Sequence, residues 1–107
     1  MPTTKIRQLN DALRVDGKGG RIMFTGGLAE ASPDEHILVL GRLRRFKDFH
    51  DGNDPHQEHD WGSFKIGPQL YNWKIDYYDL AEQGASPNPA DPKRTVRILT
   101  VYYAEDA

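Results

Sequence analysis

Gly67-Pro68 separates "WGSFKI" from "QLYNWKIDYY", and this arrangement restricts the fold more than any other stretch. Both arms alternate polar with large apolar residues, the pattern of strands with one wet face, and the Gly-Pro pair between them reads as a hairpin turn. A two-residue loop pairs Ile66 with Gln69, so Phe64 faces Tyr71 and Gly62 faces Trp73. Those residues share a side with Ile75 and Tyr77; the other side carries Trp61, Ser63, Lys65, Asn72, Lys74 and Asp76. One sheet face is therefore expected to be buried and the other largely wet. Trp73 over Gly62 would cover an exposed stretch of backbone with an aromatic ring.

The remaining elements supply what that hairpin needs for a core. Thr3 or Thr4 can cap a first helix reaching about Arg14, with Ile6, Leu9 and Leu13 as its apolar stripe. "RIMFT" (21–25) reads as a short buried strand closed by Gly26 and Gly27. "SPDE" (32–35) combines an N-cap serine, a proline suited to the first helical position and a glutamate completing a capping box. That helix is predicted from Pro33 to about Lys47, with Val39, Leu40, Leu43 and Phe46 inward. Residues 81–93 hold three prolines and a glycine and form a loop. "TVRILTVYY" (95–103) is apolar on both faces, as a central strand is. The expectation is α+β: one domain, order α-β-α-β-β-β, a mostly antiparallel four-stranded sheet with two helices on one face.

At 107 residues the chain has the size of one domain. Fourteen basic and sixteen acidic residues leave a net charge of −2, so no global field selects nucleic acid or anionic membrane. The absence of cysteine excludes disulfides, thiolate catalysis and Cys-ligated zinc. No apolar run approaches the roughly 20 residues of a membrane helix, and the first residues lack a signal-peptide core. A cytoplasmic location is expected, with no cofactor and no membrane partner.

Residues 51–62, "DGNDPHQEHDWG", concentrate the chemistry-bearing side chains. The helix-loop-helix calcium pattern fails, because Pro55, His56 and Gly62 stand where ligands and the turn glycine belong. Zinc-deaminase and metalloprotease motifs are incomplete. A noncanonical metal site would use Asp54, His56 and His59, chemically allowed but demanded by no spacing. Acid-base chemistry would use His59 as base, Glu58 or Asp60 to orient it, and Lys74 to stabilise negative charge. The competing reading is structural: Asn53, Asp54 and Pro55 form a turn, and Glu58, His59 and Asp60 tie the loop to the hairpin through a satisfied polar network.

"IRQLNDALR", "NDPHQEHDWG", "WKIDYYD" and "SPNPADPKRTVRILTV" together resemble the small bacterial family catalogued as domain of unknown function 3768, over about residues 5–104. The resemblance implies that Asn53, Asp54, Glu58, His59, Asp60, Lys74, Asp76, Tyr77 and Asp79 are the family's polar positions. His56 stands where an aromatic is common, and Gln57 where glycine is common. It also implies a bacterial accessory protein, carried largely in alphaproteobacteria and often on plasmids or other mobile elements. It names no activity.

Two function classes follow. The first is a non-catalytic binding protein, such as an inhibitor of a host defence system of the anti-CRISPR or anti-restriction type. It would meet a protein partner through Trp61, Lys65, Lys74, Asp76, Tyr77 and Tyr78, with homodimerisation through an uncovered sheet edge as a further expectation. The second is a small His-based or metal-assisted hydrolase acting on a phosphodiester. A nucleic-acid contact would instead use Arg42, Arg44, Arg45 and Lys47, with Arg94 and Arg97.

Overall fold

The computed structural model describes residues 2–107. Its elements are α1 (Pro2–Asp16), β1 (Arg21–Phe24), a single-turn α2 (Gly26–Ala29), α3 (Pro33–Arg44), β2 (Trp61–Ile66), β3 (Gln69–Tyr78) and β4 (Val96–Tyr103), ending in a 3-10 turn at Ala104–Asp106. The sheet order is β1-β4-β3-β2. β2, β3 and β4 form an antiparallel meander, and β1 joins β4 in parallel. The hairpin has the expected register, with Ile66 opposite Gln69, Phe64 opposite Tyr71 and Gly62 opposite Trp73. Gly67 takes a φ of +58°, the left-handed angle that a tight hairpin turn requires at its first central residue.

β4 is central, as its two apolar faces require. β1 departs from expectation: it is a half-exposed edge strand rather than a buried one, with Arg21 and Met23 exposed. β1 ends at Phe24, just before Gly26 and Gly27, which also open α2. α1 begins at Pro2, where a missing N–H costs a helix nothing. α3 ends at Arg44, three residues earlier than expected, yet Phe46 is buried and packs edge-on to Trp73 at 5.5 Å. The core lies on one sheet face: Leu13, Leu28, Val39, Leu43 and Phe46 cover Phe64, Tyr71, Trp73, Ile75, Leu99 and Val101. Among the described residues no helix longer than one turn packs on the opposite face.

The start of α3 realises half of the expected capping box. Ser32 Oγ accepts the Glu35 N–H at 3.1 Å. The Glu35 carboxylate does not turn back; one of its oxygens accepts hydrogen bonds from the Tyr103 and Tyr71 hydroxyls at 2.7 and 2.8 Å. This clamps α3 to β3 and β4. The Tyr103 hydrogen bond, followed by that of Tyr71, holds the Glu35 carboxyl below its ordinary value of 4.5, and the same contact pushes Tyr103 up to about 12. A depressed carboxylate stabilises the fold fully above its unfolded value and loses that contribution as pH falls through the folded one. Urea titrations of wild type and Glu35→Gln should therefore differ most near neutral pH, and the gap should narrow as pH falls below the ordinary carboxylate range. A gap that widens in acid would exclude the clamp.

Candidate functional site

Residues 48–60 are joined to one another by local polar bonds. Asn53 accepts the His50 N–H at 2.9 Å through Oδ1 and donates to the Asp48 carbonyl at 2.6 Å. The His50 carbonyl receives the N–H groups of Asn53 and Asp54. Asp54, buried, accepts the His59 N–H at 3.0 Å. Two non-glycine residues, Gln57 and His59, hold left-handed φ angles of +58° and +55°, which carry a steric penalty for L-residues.

The folded loop docks on α1 through two clusters. In the first, the His59 ring stacks on Phe49 with centroids 3.8 Å apart and 5° between planes. Its Nδ1 lies 2.9 Å from Asp11 Oδ1, and its Nε2 lies 3.7 Å from Asp54 Oδ2. Asp11 also accepts from Arg14, whose guanidinium lies 5.0 Å from the Phe49 ring centre. In the second cluster, Asn10 is fully buried and bonds in three directions. Its Oδ1 accepts from Arg97 Nε at 2.6 Å, and its Nδ2 contacts the Tyr77 oxygen at 2.8 Å and the Glu58 carbonyl at 3.0 Å. The Tyr77 hydroxyl donates to the Glu58 carboxylate at 2.8 Å, and Arg97 also donates to the Pro89 carbonyl at 2.5 Å. Burial pushes the Tyr77 hydroxyl well above its ordinary value and lowers Arg97 from a value high enough to leave it charged. Burial, then the charges of Glu58 and Asp54, raises Asp60.

These positions separate the catalytic candidates. His59 lines a crevice of about 250 Å³ with Arg7, Phe49, His50, Asp51, Asp54 and Gln57. Lys74 is on the open face opposite the core, 3.4 Å from Asp76, beside a shallow crevice of about 490 Å³ that also involves Thr25, Tyr78, Thr100, Tyr102 and Asp106. Glu58 faces Tyr77 rather than His59. His59, Glu58 and Lys74 therefore do not converge on one cleft, as the catalytic reading would require. Of the metal candidates, Asp54 and His59 are neighbours and His56 is exposed. Among the described residues no three His, Asp or Glu side chains form a group able to hold a metal ion.

Two surface assignments are corrected. Tyr77 lies on the inner face, as its parity with Ile75 requires, and its hydroxyl is spent in the network rather than offered on the open face. Arg97 shares parity with Leu99 and Val101 and is 2% exposed, so it cannot line a nucleic-acid surface. The residues that sequence reasoning missed are Asn10, Asp11 and Arg14. The signal was present: Ile6, Asn10, Leu13 and Arg14 occupy one buried face of α1, so polar side chains interrupt an apolar stripe.

The protein-family model described as "Protein of unknown function (DUF3768)" matches residues 24–106. The chain belongs to this family. No curated protein and no solved structure matches it. The DUF3768 match contains the whole polar segment, the hairpin and β4, while α1, which supplies Asn10 and Asp11, precedes it. No helix among the described residues of this DUF3768 protein is long and apolar enough to cross a membrane.

The glycine that the resemblance implies at position 57 has a physical reading at Gln57. The backbone there keeps the left-handed angle that glycine adopts without strain, and its carbonyl accepts from Arg7 at 3.1 Å. Gln57→Gly should raise unfolding stability by about 0.5–1 kcal/mol in urea titration. His59→Gly should instead destabilise, because it removes the Phe49 stack and the Asp11 contact.

Proposed function

We propose that this DUF3768 protein is a small bacterial, cytoplasmic, non-catalytic binding protein. It works as an accessory of mobile elements that inhibits a host defence system by contacting one of that system's proteins. The supporting observation is the division of labour between the two sheet faces. His59 bonds Asp11 of α1, Asp54 accepts the His59 N–H and Glu58 accepts from Tyr77, so these groups are held by the protein's own side chains, which suits a scaffold. The open face is left with aromatic and charged groups, the residue types that anchor interfaces. Trp61, Lys65, Lys74, Asp76 and Tyr78 are its contact residues, joined by Tyr102. The hydrolase reading would need His59 and Lys74 on one substrate, and they stand in different crevices.

The test is plating efficiency of a targeted phage on bacteria carrying a CRISPR or restriction system, with and without the protein. Wild type should raise plating, and Lys74→Glu or Tyr78→Ala should abolish the effect while leaving the melting temperature unchanged. Phosphodiester cleavage by purified protein, lost in His59→Ala, would reverse the reading.

A further inference from the structure

β2 is a free edge of the sheet, and its backbone groups can be assigned one by one. The Ile75 N–H donates to the Asp60 carbonyl at 2.8 Å, in the register that pairs Trp61 with Lys74. Residue 60 thus bonds inward, and bonding alternates along an antiparallel strand. Gly62, Phe64 and Ile66 face β3 in the same way. Trp61, Ser63 and Lys65 direct their N–H and C=O groups away from the sheet. Arg42 of α3 donates to the Lys65 carbonyl at 2.7 Å, with its guanidinium 5.6 Å from the Phe64 ring centre. That contact takes the last outward acceptor and leaves the ladder groups of Trp61 and Ser63.

The ground beside this edge is basic. Arg42, Arg45 and Lys47 share a crevice of about 270 Å³ with Phe46, Asp48, Ser63 and Phe64, and Lys65 is exposed on the strand itself. The positive charge is local, since the chain as a whole carries −2. Cations on an edge deter a second identical edge, because pairing β2 with β2 would bring two basic flanks together. They favour a strand of opposite charge. A nucleic acid could meet the cations but could not continue the ladder.

We propose that the β2 edge accepts an extended acidic segment of a partner protein as a fifth strand, bonded to the backbone of Trp61 and Ser63 and flanked by Arg42, Arg45, Lys47 and Lys65. This is strand addition, in which main-chain bonds give affinity and flanking side chains give selectivity. It adjoins the open-face contact proposed above and shares Trp61 and Lys65 with it, while Lys74, Asp76 and Tyr78 belong to the open face alone.

The test titrates the isotope-labelled full chain with a capped heptapeptide alternating glutamate and valine, followed by NMR. The amide signals of Trp61, Ser63 and Lys65 should shift and their hydrogen exchange should slow. A peptide of the same sequence with alternate amides N-methylated keeps the charge, loses the ladder groups and should not bind. Ser63→Pro removes one outward donor and should weaken binding about tenfold. Lys65→Glu, an exposed change that leaves the fold intact, should weaken it several-fold. Lys74→Glu on the open face should have no effect, so failure at the edge and failure of the open-face reading are seen separately. Equal binding of the N-methylated peptide, preference for a lysine-valine peptide, tighter binding of oligothymidylate at the same residues, or a dimer that protects these amides would each overturn the proposal.

Discussion

Asn10→Leu should lower unfolding stability by about 4 kcal/mol, equivalent to roughly 20 °C in Tm for a domain of this size. The substitution nearly preserves volume, so the loss is not a cavity effect. It strands three polar groups at once: the Arg97 guanidinium, the Tyr77 hydroxyl on its Asn10 side and the Glu58 carbonyl. The guanidinium dominates, because a buried charge deprived of its partner costs far more than a neutral group does. Tyr77 retains Glu58 and Arg97 retains the Pro89 carbonyl, which limits the damage. Adding Arg97→Met to Asn10→Leu should recover part of the loss, since the pair acts as one unit. Equilibrium urea unfolding of the single and double variants measures both quantities. Additive losses would show that the two residues do not depend on each other.

Gly62→Ala should cost about 3 kcal/mol, a large effect for one methyl group on a strand. A Cβ at this position would run into the Trp73 indole nitrogen and would lie 2.6 Å from the Phe46 ring. Trp73 is fully buried, and Phe46 packs edge-on against both Trp73 and Phe49. None of these rings can yield without opening the core, where packing is as dense as a crystal. Combining Gly62→Ala with Phe46→Leu removes part of the obstruction, so the double variant should lose less than the two single losses combined. A melting curve for Gly62→Ala within a few degrees of wild type would mean that the aromatic cover over this glycine is loose.

Register was legible where the chain encodes it locally. The alternation around Gly67-Pro68 determines which residues face each other, and the close approach of Trp73 to Gly62 follows from it. Ser32 and Pro33 likewise mark the start of α3 through contacts within one turn. What escaped depends on partners far away in the chain. Asn10 and Arg97 are 87 residues apart, and no short pattern links them. Glu35 looked like the second half of a capping box until two tyrosines from neighbouring strands claimed it. β1 is only four residues long, too short to announce a parallel partner or a half-exposed edge. Tyr77 and Arg97 were misplaced for another reason: their strand parity pointed inward, but their polar heads suggested surface. Burial of a polar head depends on a partner, and the partner was Asn10.

In the polar loop the local bonds follow from the sequence and the distant ones do not. Asn53 and Asp54 organise the turn locally, as Asx residues do. His59 needed Phe49 for its stack and Asp11 for its hydrogen bond, and Asp11 comes from α1. The strain at Gln57 and His59 is repaid by that docking, so the loop holds its shape through α1 rather than alone.

Urea unfolding of Asp54→Ala bears most directly on whether this loop is a brace. Asp54 is 4% exposed, accepts the His59 N–H at 3.0 Å and stands 3.7 Å from the His59 ring nitrogen. As a brace, it should cost about 2 kcal/mol to remove, the weight of a buried N–H left without its charged acceptor. A carboxylate held ready for catalysis tends to behave the other way, its removal leaving stability unchanged or improved. A clear drop in the unfolding midpoint is the outcome a brace demands; a midpoint equal to or above wild type would contradict it.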